Sequence, residues 1–190
     1  MRCFIAIDID DNIRAALSDL QQQLSRNADM KTAVKWVRPE MIHMTVKFLG
    51  EVEDKKIPEV CDIVKKAAAK HKQFELDIKS VGHFGGRIAR VLWVGSRDLS
   101  NTLIELQKDI EKQLASAGWP EEKREFSGHL TLCRVKDSKA GAKLARISRE
   151  YKDYTLGTMS VDSVSVYQSQ LTPAGPVYTV SGNYKLQGQS

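Results

Sequence analysis

The sequence has few cysteines, little proline and no long hydrophobic run. Its three cysteines, Cys3, Cys61 and Cys133, are odd in number and show no paired spacing, so neither a disulfide framework nor a Cys-x-x-Cys metal site is predicted. No apolar stretch approaches the roughly 20 residues that a membrane-spanning helix needs. The opening MRCFIAIDID turns acidic at Asp8 and Asp10, which leaves too short an apolar segment for a secretory signal. These absences favour a protein of the reducing cytoplasm without a membrane anchor.

The charged residues are unevenly divided between the two signs. Twenty-nine Lys and Arg stand against 24 Asp and Glu, which gives a formal net charge of +5. A surface with such an excess attracts polyanions, nucleic acid above all, through phosphate neutralisation and counterion release. Because the excess is modest, the composition permits a nucleic-acid substrate without requiring one. A chain of 190 residues has room for one domain, or for two small lobes that share a cleft.

The sequence contains an internal repeat. The segments Ile42–Val46 (IHMTV) and Gly128–Leu132 (GHLTL) each carry a histidine, an apolar residue, a threonine and a second apolar residue, and the histidines are 129 − 43 = 86 residues apart. Further segments align at similar offsets, namely Arg2–Ile7 with Arg90–Gly95 and Phe74–Val81 with Tyr154–Val161. A duplicated unit of this kind typically folds as two similar lobes related by a pseudo-twofold axis.

Each half shows the same predicted order of elements: strand, helix, His-Thr strand, helix, strand. Apolar residues spaced three and four apart predict amphipathic helices, which fall at 11–25, 57–70, 99–115 and 139–151. We therefore predict one bilobal α+β domain, with two antiparallel-rich sheets and outer helices around a central cleft. The approximate repeats span 1–86 and 87–170, and a C-terminal strand and tail span 171–190. Ligands commonly bind in such clefts.

The two His-x-Thr segments combine residue types that suit acid–base chemistry on a phosphate. Since residues i and i+2 of a strand share a face, we expect His43 beside Thr45 and His129 beside Thr131. Two imidazoles that face each other across a groove can act as acid and base near neutral pH. Each threonine hydroxyl can donate to a phosphate oxygen. The combination matches what cleavage of a phosphodiester without a metal ion requires.

For either motif alone, a structural role is the alternative. A histidine on a half-buried strand is commonly a hydrogen-bonded core residue, and threonine is favoured in strands. The motif recurs in both halves and uses two of only four histidines, which favours catalysis. His71 and His83 have no threonine partner, and we expect structural roles for both. No Asp, Glu or Cys accompanies the motif histidines at the spacing of zinc ligands, so we expect neither a metal site nor a cofactor.

Five residues after each motif histidine stands a side chain that suits a nucleotide. Phe48 can stack on a base, and Arg134 can clamp a phosphate. Strict alternation places both on the face opposite their histidines, where Phe48 is a core residue and Arg134 a surface charge. They reach the groove only if the strands end or bulge near Gly50 and Val135. The spacing alone leaves both arrangements open.

Several stretches resemble the RNA 2′,3′-cyclic phosphodiesterases, also called 2′–5′ RNA ligases, of the two-histidine phosphoesterase superfamily. The resemblance runs in order from residue 4 to about residue 180, and the two His-x-Thr-x motifs are its most specific part. The matching stretches are Phe4–Asp8, Trp36–Glu40, His43–Gly50, Arg90–Gly95, His129–Val135 and Leu171–Tyr178. Gly128 departs from the family pattern, in which a proline commonly precedes the second histidine.

The resemblance implies a bilobal α+β fold and metal-independent opening of a 2′,3′-cyclic phosphate to a 2′-phosphomonoester. By position it makes His43 the proton donor to the leaving 3′ oxygen and His129 the proton acceptor that activates water. The two threonines and Arg134 then hold the phosphate, and Phe48 stacks near the base. The expected substrate is RNA with a cyclic phosphate end, tRNA included, or a small cyclic nucleotide. The expected protein is a cytoplasmic monomer.

Three functions stay open on the sequence. The first is the cyclic phosphodiesterase, and the second is a ligase in which a 5′-hydroxyl replaces water and joins RNA ends through a 2′–5′ bond. The third is a non-catalytic RNA-binding module whose His-Thr strands only hold a phosphate. Paired histidines argue against this module, because Arg or Lys serves phosphate capture better. The near-symmetry of the repeat does not distinguish the acid from the base.

Overall fold

The predicted strands and helices occur in the predicted order, and two further strands that the repeat does not predict lie at Val34–Trp36 and Ser163–Thr172. The computed structural model describes residues 1–26, 32–173 and 175–188. Their strands are β1 (Arg2–Asp8), β2 (Val34–Trp36), β3 (His43–Glu51), β4 (Phe74–Phe84), β5 (Val91–Arg97), β6 (His129–Val135), β7 (Thr155–Val161), β8 (Ser163–Thr172) and β9 (Gly175–Lys185). Their helices are α1 (Asp11–Ser25), α2 (Ile57–Ala68), α3 (Thr102–Ser116) and α4 (Ser138–Glu150). All four predicted helices are therefore present, within three residues of their predicted starts.

The strands of the described residues form one antiparallel sheet that is nearly divided at its centre. Their order is β7-β4-β5-β6-β3-β1-β8-β9, and the short β2 pairs with β6. Between β3 and β6 the ladder consists of a single pair, Met44 with Leu130, whereas the pairings on either side extend over most of each strand. The two predicted sheets are thus the two halves of one curled sheet, joined at the strands that carry the histidines.

Each half of the sheet contains strands from both halves of the sequence. β4 lies beside β5 in the same way that β8 lies beside β1. The predicted equivalence of Phe74–Val81 with Tyr154–Val161 is therefore wrong: these segments lie in β4 and β7, which pair with each other. Their shared pattern is that of any half-buried strand. Within 171–190, β9 ends at Lys185, and residues 174, 189 and 190 lie outside the described residues.

The helices bury their predicted apolar faces in a core shared with the histidine strands. Leu17 of α1 and Ile110 of α3 are completely buried, as are Met44 of β3 and Leu130 of β6, and all four belong to one apolar cluster. The opposite face of the sheet, away from Met44 and Leu130, is therefore available for polar side chains. No helix in the described ranges is long and apolar enough to span a membrane.

A buried ion pair ties the first histidine strand to the segment that precedes the second. Lys47 of β3 pairs with Glu111 of α3 and donates to the carbonyl oxygen of Pro120 (2.7 Å). Glu111 also accepts a hydrogen bond from the main-chain N–H of Glu122 (2.7 Å). Because breaking a buried pair leaves an uncompensated charge, this contact resists any displacement of the segment relative to β3. It ties the chain at Pro120 and Glu122 to β3 and α3.

Candidate active site

Four predicted site residues meet where β3 and β6 touch. Met44 and Leu130 face each other across the two strands, and both side chains point into the core. Their sequence neighbours therefore point to the opposite, more open face, because successive side chains of a strand alternate. The half-buried neighbours on this face are His43, Thr45, His129 and Thr131.

The register about the Met44–Leu130 pair places the two motifs across from one another. Extending the register of this pair by one residue in each direction places Thr45 across from His129 and His43 across from Thr131. His43 and His129 are therefore diagonal to each other about this pair. Among the described residues neither threonine hydroxyl has a hydrogen-bond partner, which leaves both available to a ligand.

Main-chain carbonyl groups orient both imidazoles in the same way. Nδ1 of His43 donates to the carbonyl oxygen of Met41 (2.9 Å), and Nδ1 of His129 donates to the carbonyl oxygen of Ser127 (2.8 Å). A carbonyl oxygen only accepts, so Nδ1 carries hydrogen in each ring and Nε2 is the nitrogen left for proton exchange with a ligand. Nothing in the sequence signals this contact, since any residue type can supply the carbonyl group.

Aromatic rings enclose the first histidine. The ring of Phe4 stacks on His43 with a centroid distance of 4.7 Å, and the ring of Tyr178 meets it edge-on at 5.4 Å. Burial lowers the pKa of His43, and the hydrogen bond to Met41 together with the charge of Asp8 opposes that shift only in part. The free protein therefore favours the neutral form of this ring.

A carboxylate lies next to His43 and is held by two hydroxyl groups. Asp8 pairs with His43 across β1 and β3. Its carboxylate accepts hydrogen bonds from the hydroxyls of Tyr167 (2.5 Å) and Ser165 (3.0 Å), both on β8. Burial and the nearby Asp8 raise the pKa of Tyr167, which keeps its hydroxyl protonated as a donor. The sequence gives no local signal for this network, because it depends on the pairing of β1 with a strand more than 150 residues away.

The second histidine also contacts aromatic rings. The ring of Phe84 meets His129 edge-on at 5.1 Å, and the ring of Trp93 lies 6.1 Å from it. Trp93 pairs with Thr131 across β5 and β6, and so lies on the face of the two motifs. Phe84 is 44% exposed and lies beside His129 at the surface. Neither aromatic residue is predicted by the spacing of the motifs.

Strand bulges decide the position of Phe48 and Arg134. In β3, Lys47 and Thr45 pair with consecutive residues of β1, so Val46 is an extra residue. In β6, Leu132 is extra in the same way against β5. Each bulge restarts the alternation of the strand one residue later. Phe48 and Arg134 therefore return to the face of the histidines, and the bulges lie earlier along the strands than predicted.

The surroundings of both side chains agree with this placement. Phe48 is 69% exposed, and its ring lies 6.1 Å from the ring of Phe4, which stacks on His43. Arg134 is exposed. Burial raises the pKa of Tyr178, the edge-on neighbour of His43, and the charge of Arg134 opposes this rise. The register and the bulges thus place all six predicted site residues on one face of the sheet.

Close packing explains the glycine that precedes the second histidine. The main-chain N–H and the hydroxyl of Ser96 both donate to the carbonyl oxygen of Gly128 (3.1 Å each). A Cβ atom on Gly128 would lie 2.6 Å from Oγ of Ser96 and 3.1 Å from the side chain of Leu103. Any larger residue here requires the side chains of Ser96 and Leu103 to shift. The two hydrogen bonds from Ser96 anchor the main chain at this glycine, directly before His129.

The two remaining histidines make contacts typical of structural residues. Nε2 of His83 donates to the carbonyl oxygen of Gly86 (2.8 Å), and its Nδ1 lies 2.7 Å from Oγ of Ser148. Nε2 of His71 lies 3.4 Å from the carboxylate of Asp109. In the part of the chain that the structure describes, no three His, Cys, Asp or Glu side chains are grouped so as to hold a metal ion.

This fold and its paired His-Thr strands are those of a phosphoesterase. The family described as LigT-like phosphoesterase matches the chain twice, over residues 7–93 and 94–178. The chain therefore belongs to the LigT-like phosphoesterase family. The double match agrees with the internal repeat in the sequence.

Relatives in this family match along nearly the whole chain. The RNA 2′,3′-cyclic phosphodiesterase of Methanothermobacter thermautotrophicus is 36% identical over 187 residues, which cover 98% of this chain and 99% of that protein. The RNA 2′,3′-cyclic phosphodiesterase of Methanocaldococcus jannaschii is 35% identical over 181 residues, with 95% and 98% covered.

Solved structures share the fold at lower sequence identity. A protein of Thermus thermophilus superposes with a TM-score of 0.83 at 24% identity, and each chain is covered completely. E. coli LigT, crystallised with 3′-AMP, superposes with a TM-score of 0.79 at 23% identity over 97% of each chain. These likenesses confirm the predicted bilobal α+β fold.

Proposed function

We propose that this protein is an RNA 2′,3′-cyclic phosphodiesterase that opens the cyclic phosphate to a 2′-phosphomonoester. The observation that carries the proposal is the diagonal placement of His43 and His129 about the Met44–Leu130 pair, on one face of the sheet. Two relatives more than 30% identical over nearly the full chain bear the name of this activity. The crystallisation of E. coli LigT with 3′-AMP supports a nucleotide ligand.

In the proposed reaction, two proton transfers accompany the attack of water on phosphorus. Nε2 of His129 accepts a proton from water as the new P–O bond forms. Nε2–H of His43 donates its proton to the 3′ oxygen as the P–O3′ bond breaks. The products are a 2′-phosphomonoester and a free 3′-hydroxyl. His129 gains one proton and His43 loses one in each turnover. Exchange of these protons with solvent returns both histidines to their starting protonation states.

Three side chains supply the donors that the phosphoryl oxygens need. The hydroxyls of Thr45 and Thr131 lie beside the two imidazoles and have no partner among the described residues. Arg134 adds a permanent positive charge that stabilises the charge developing on the oxygens. Phe48 lies exposed at the rim, where its ring can stack on the base. Acid, base and donors all come from the chain itself, so the proposed mechanism is metal-independent.

The role of His43 as proton donor depends on the bound phosphate. Burial lowers the pKa of His43 in the free protein, which favours the neutral ring. A negatively charged phosphate in the groove acts in the opposite direction, because a nearby anion stabilises the imidazolium. Asp8, which already raises the pKa of His43, adds to this effect. Substrate binding thus favours the protonated form of His43, which then donates its proton to the 3′ oxygen.

The test is incubation with a nucleoside 2′,3′-cyclic phosphate in the presence of EDTA, with chromatography against 2′- and 3′-phosphate standards. We expect turnover to the 2′-phosphate alone, since His43 is placed to protonate the 3′ oxygen. Turnover that appears only after a divalent metal is restored would contradict the metal-independent mechanism. A 3′-phosphate product would mean that the 2′ oxygen leaves, and would reverse the roles of the two histidines.

The same groups can join RNA ends when a 5′-hydroxyl replaces water. The open rim favours this second activity: Phe48 and Phe84 are both exposed, so the groove is not closed over a single water molecule. Attack by the 5′-hydroxyl with departure of the 3′ oxygen forms a 2′–5′ linkage. Hydrolysis and joining are compared with one RNA substrate at equal enzyme concentration, and the faster reaction identifies the principal activity.

We further propose that the enzyme works as a cytoplasmic monomer on RNA intermediates, tRNA among them. One chain supplies both imidazoles, so the site is complete without a second copy. All three cysteines are free, which suits a reducing compartment. The two repeats, over 1–86 and 87–170, each contribute one His-Thr strand.

A further inference from the structure

A tract of cations continues from Arg134 away from the two histidines. Lys35 of β2 pairs directly with Arg134 of β6, so both side chains lie on one face of the sheet and both are exposed. On the other side of β6, the carbonyl oxygen of Arg90 accepts a hydrogen bond from the N–H of Val135 (2.9 Å). Arg90 is exposed as well. The end of β6 therefore carries positive charge on both sides.

Two open cavities extend this positive surface toward α4. Each has a volume of about 480 Å³, and both are lined by Asp137, which separates them. The cations lining the first cavity are Arg87, Arg90 and Lys136, and those lining the second are Lys139, Lys143 and Arg146. We call the set formed by Lys35, Arg87, Arg90, Arg134, Lys136 and Lys139 the cationic tract.

One carboxylate, that of Asp137, lines both cavities beside the cationic tract and offsets only part of its charge. In the described ranges none of its six members forms an ion pair, whereas cations elsewhere do, such as Lys185 with Asp162 (2.5 Å). Asp137 caps α4 by accepting a hydrogen bond from the N–H of Ala140 (2.9 Å), and its single negative charge stands against the six cations of the tract. Arg146 lies 3.8 Å from Glu150 and is not counted in the tract. Uncompensated like charges repel one another and create a positive potential that attracts polyanions.

We propose that the cationic tract binds the sugar–phosphate backbone of RNA on the 5′ side of the cyclic phosphate. The tract begins at Arg134, which we place at the reacting phosphate, so a chain anchored in the groove can continue over Lys35, Arg90 and Lys136. This continuity favours RNA over an unrelated acidic partner. The enzyme then prefers RNA chain ends to mononucleotides, a preference that rests on the proposed function.

The preference is tested by the hydrolysis of cyclic-phosphate substrates of increasing length. We compare a cyclic mononucleotide with cyclic-phosphate oligoribonucleotides, at several salt concentrations, in the wild type and in the triple variant Arg87→Gln/Lys136→Gln/Lys139→Gln. The matched control removes the same charge from three exposed cations that have no ion pair among the described residues: Lys65→Gln/Lys66→Gln/Lys72→Gln. Thermal unfolding verifies that each variant is folded.

We expect the KM of the wild type to fall with substrate length and to rise steeply with salt. In the tract variant the KM for the longest substrate rises about tenfold or more, and the log–log salt dependence flattens by about 2, because each phosphate contact on a single strand contributes about 0.7. Turnover of the mononucleotide is unchanged in the tract variant. The control variant matches the wild type with every substrate.

Two results would overturn the inference. One is a wild-type KM that does not depend on substrate length, and the other is an equal effect of the tract and control substitutions. If the wild type hydrolyses no cyclic phosphate, the proposed function fails, and the tract is then tested by fluorescence anisotropy with a labelled oligoribonucleotide ending in a 2′-phosphate. Weaker binding in the tract variant alone supports the tract. Equal binding in all three proteins rejects it.

Discussion

His43→Ala and His129→Ala are each expected to lower the rate of cyclic phosphate hydrolysis by at least about 10²–10⁴-fold, the usual contribution of one general acid or base. Each substitution removes one of the two groups whose Nε2 exchanges a proton with the substrate. Because the two groups act in one step, the double variant is expected to be little slower than either single variant. Steady-state hydrolysis of a 2′,3′-cyclic nucleotide measures all three rates.

Controls separate loss of chemistry from loss of folding. His43 packs against Phe4 and Tyr178, so His43→Gln accompanies the alanine variant because it preserves most of the side-chain volume. His71→Gln is the matched histidine control, since His71 contacts Asp109 outside the groove. Wild-type activity in a folded His43 or His129 variant would remove that residue from the mechanism.

A substrate with sulfur in place of the 3′ bridging oxygen is expected to restore activity to His43→Ala and leave His129→Ala inactive. A thiolate leaves without a proton, so this substrate needs no general acid, whereas attack by water still needs a base. In His43→Ala, the ratio of sulfur to oxygen turnover is expected to rise by about the 10²–10⁴-fold that a general acid contributes. Single-turnover rates on the two substrates provide the comparison.

The sulfur substrate also shows which histidine is the acid and which is the base, a question that the near-symmetry of the repeat leaves open. Burial lowers the pKa of His43, which taken alone favours this ring as the base in the free protein. The proposed donor role instead requires the phosphate to reprotonate it. Rescue of His129→Ala in place of His43→Ala would show that His43 stays neutral when the phosphate is bound. His43 would then be the base and His129 the acid. Rescue of neither variant would contradict acid catalysis at the leaving oxygen.

Local periodicity was enough to predict the elements of the fold but not the pairing of distant strands. The apolar spacing of α1 and α3 shows in the sequence because each helix buries one continuous stripe, including Leu17 and Ile110. The likeness of Phe74–Val81 to Tyr154–Val161 wrongly indicated that the two segments are equivalent in the repeat. Any two half-buried strands show the same alternation of apolar and polar residues, whichever strands they pair with. Only tertiary structure shows that β4 corresponds to β8.

The residues of the candidate site also include some that the sequence predicts and some that only the pairing of strands reveals. His43 and Thr45 share a face because side chains alternate along one strand, so their proximity could be predicted. The position of Arg134 depends on the extra residue Leu132, and a bulge is a relation between two strands that neither strand reveals alone. Tyr167 reaches Asp8 only because β8 pairs with β1, and for that reason no local pattern indicated it.

Convergence of both imidazoles on one phosphate is tested most directly by NMR titration of the wild-type protein with a nucleoside 2′-phosphate. The Cε1–H signals of His43 and His129 are expected to move together and to saturate at the same ligand concentration, while the signal of His71 stays in place. A response from only one of the two rings, or saturation of the two at different concentrations, would show that they do not share a phosphate.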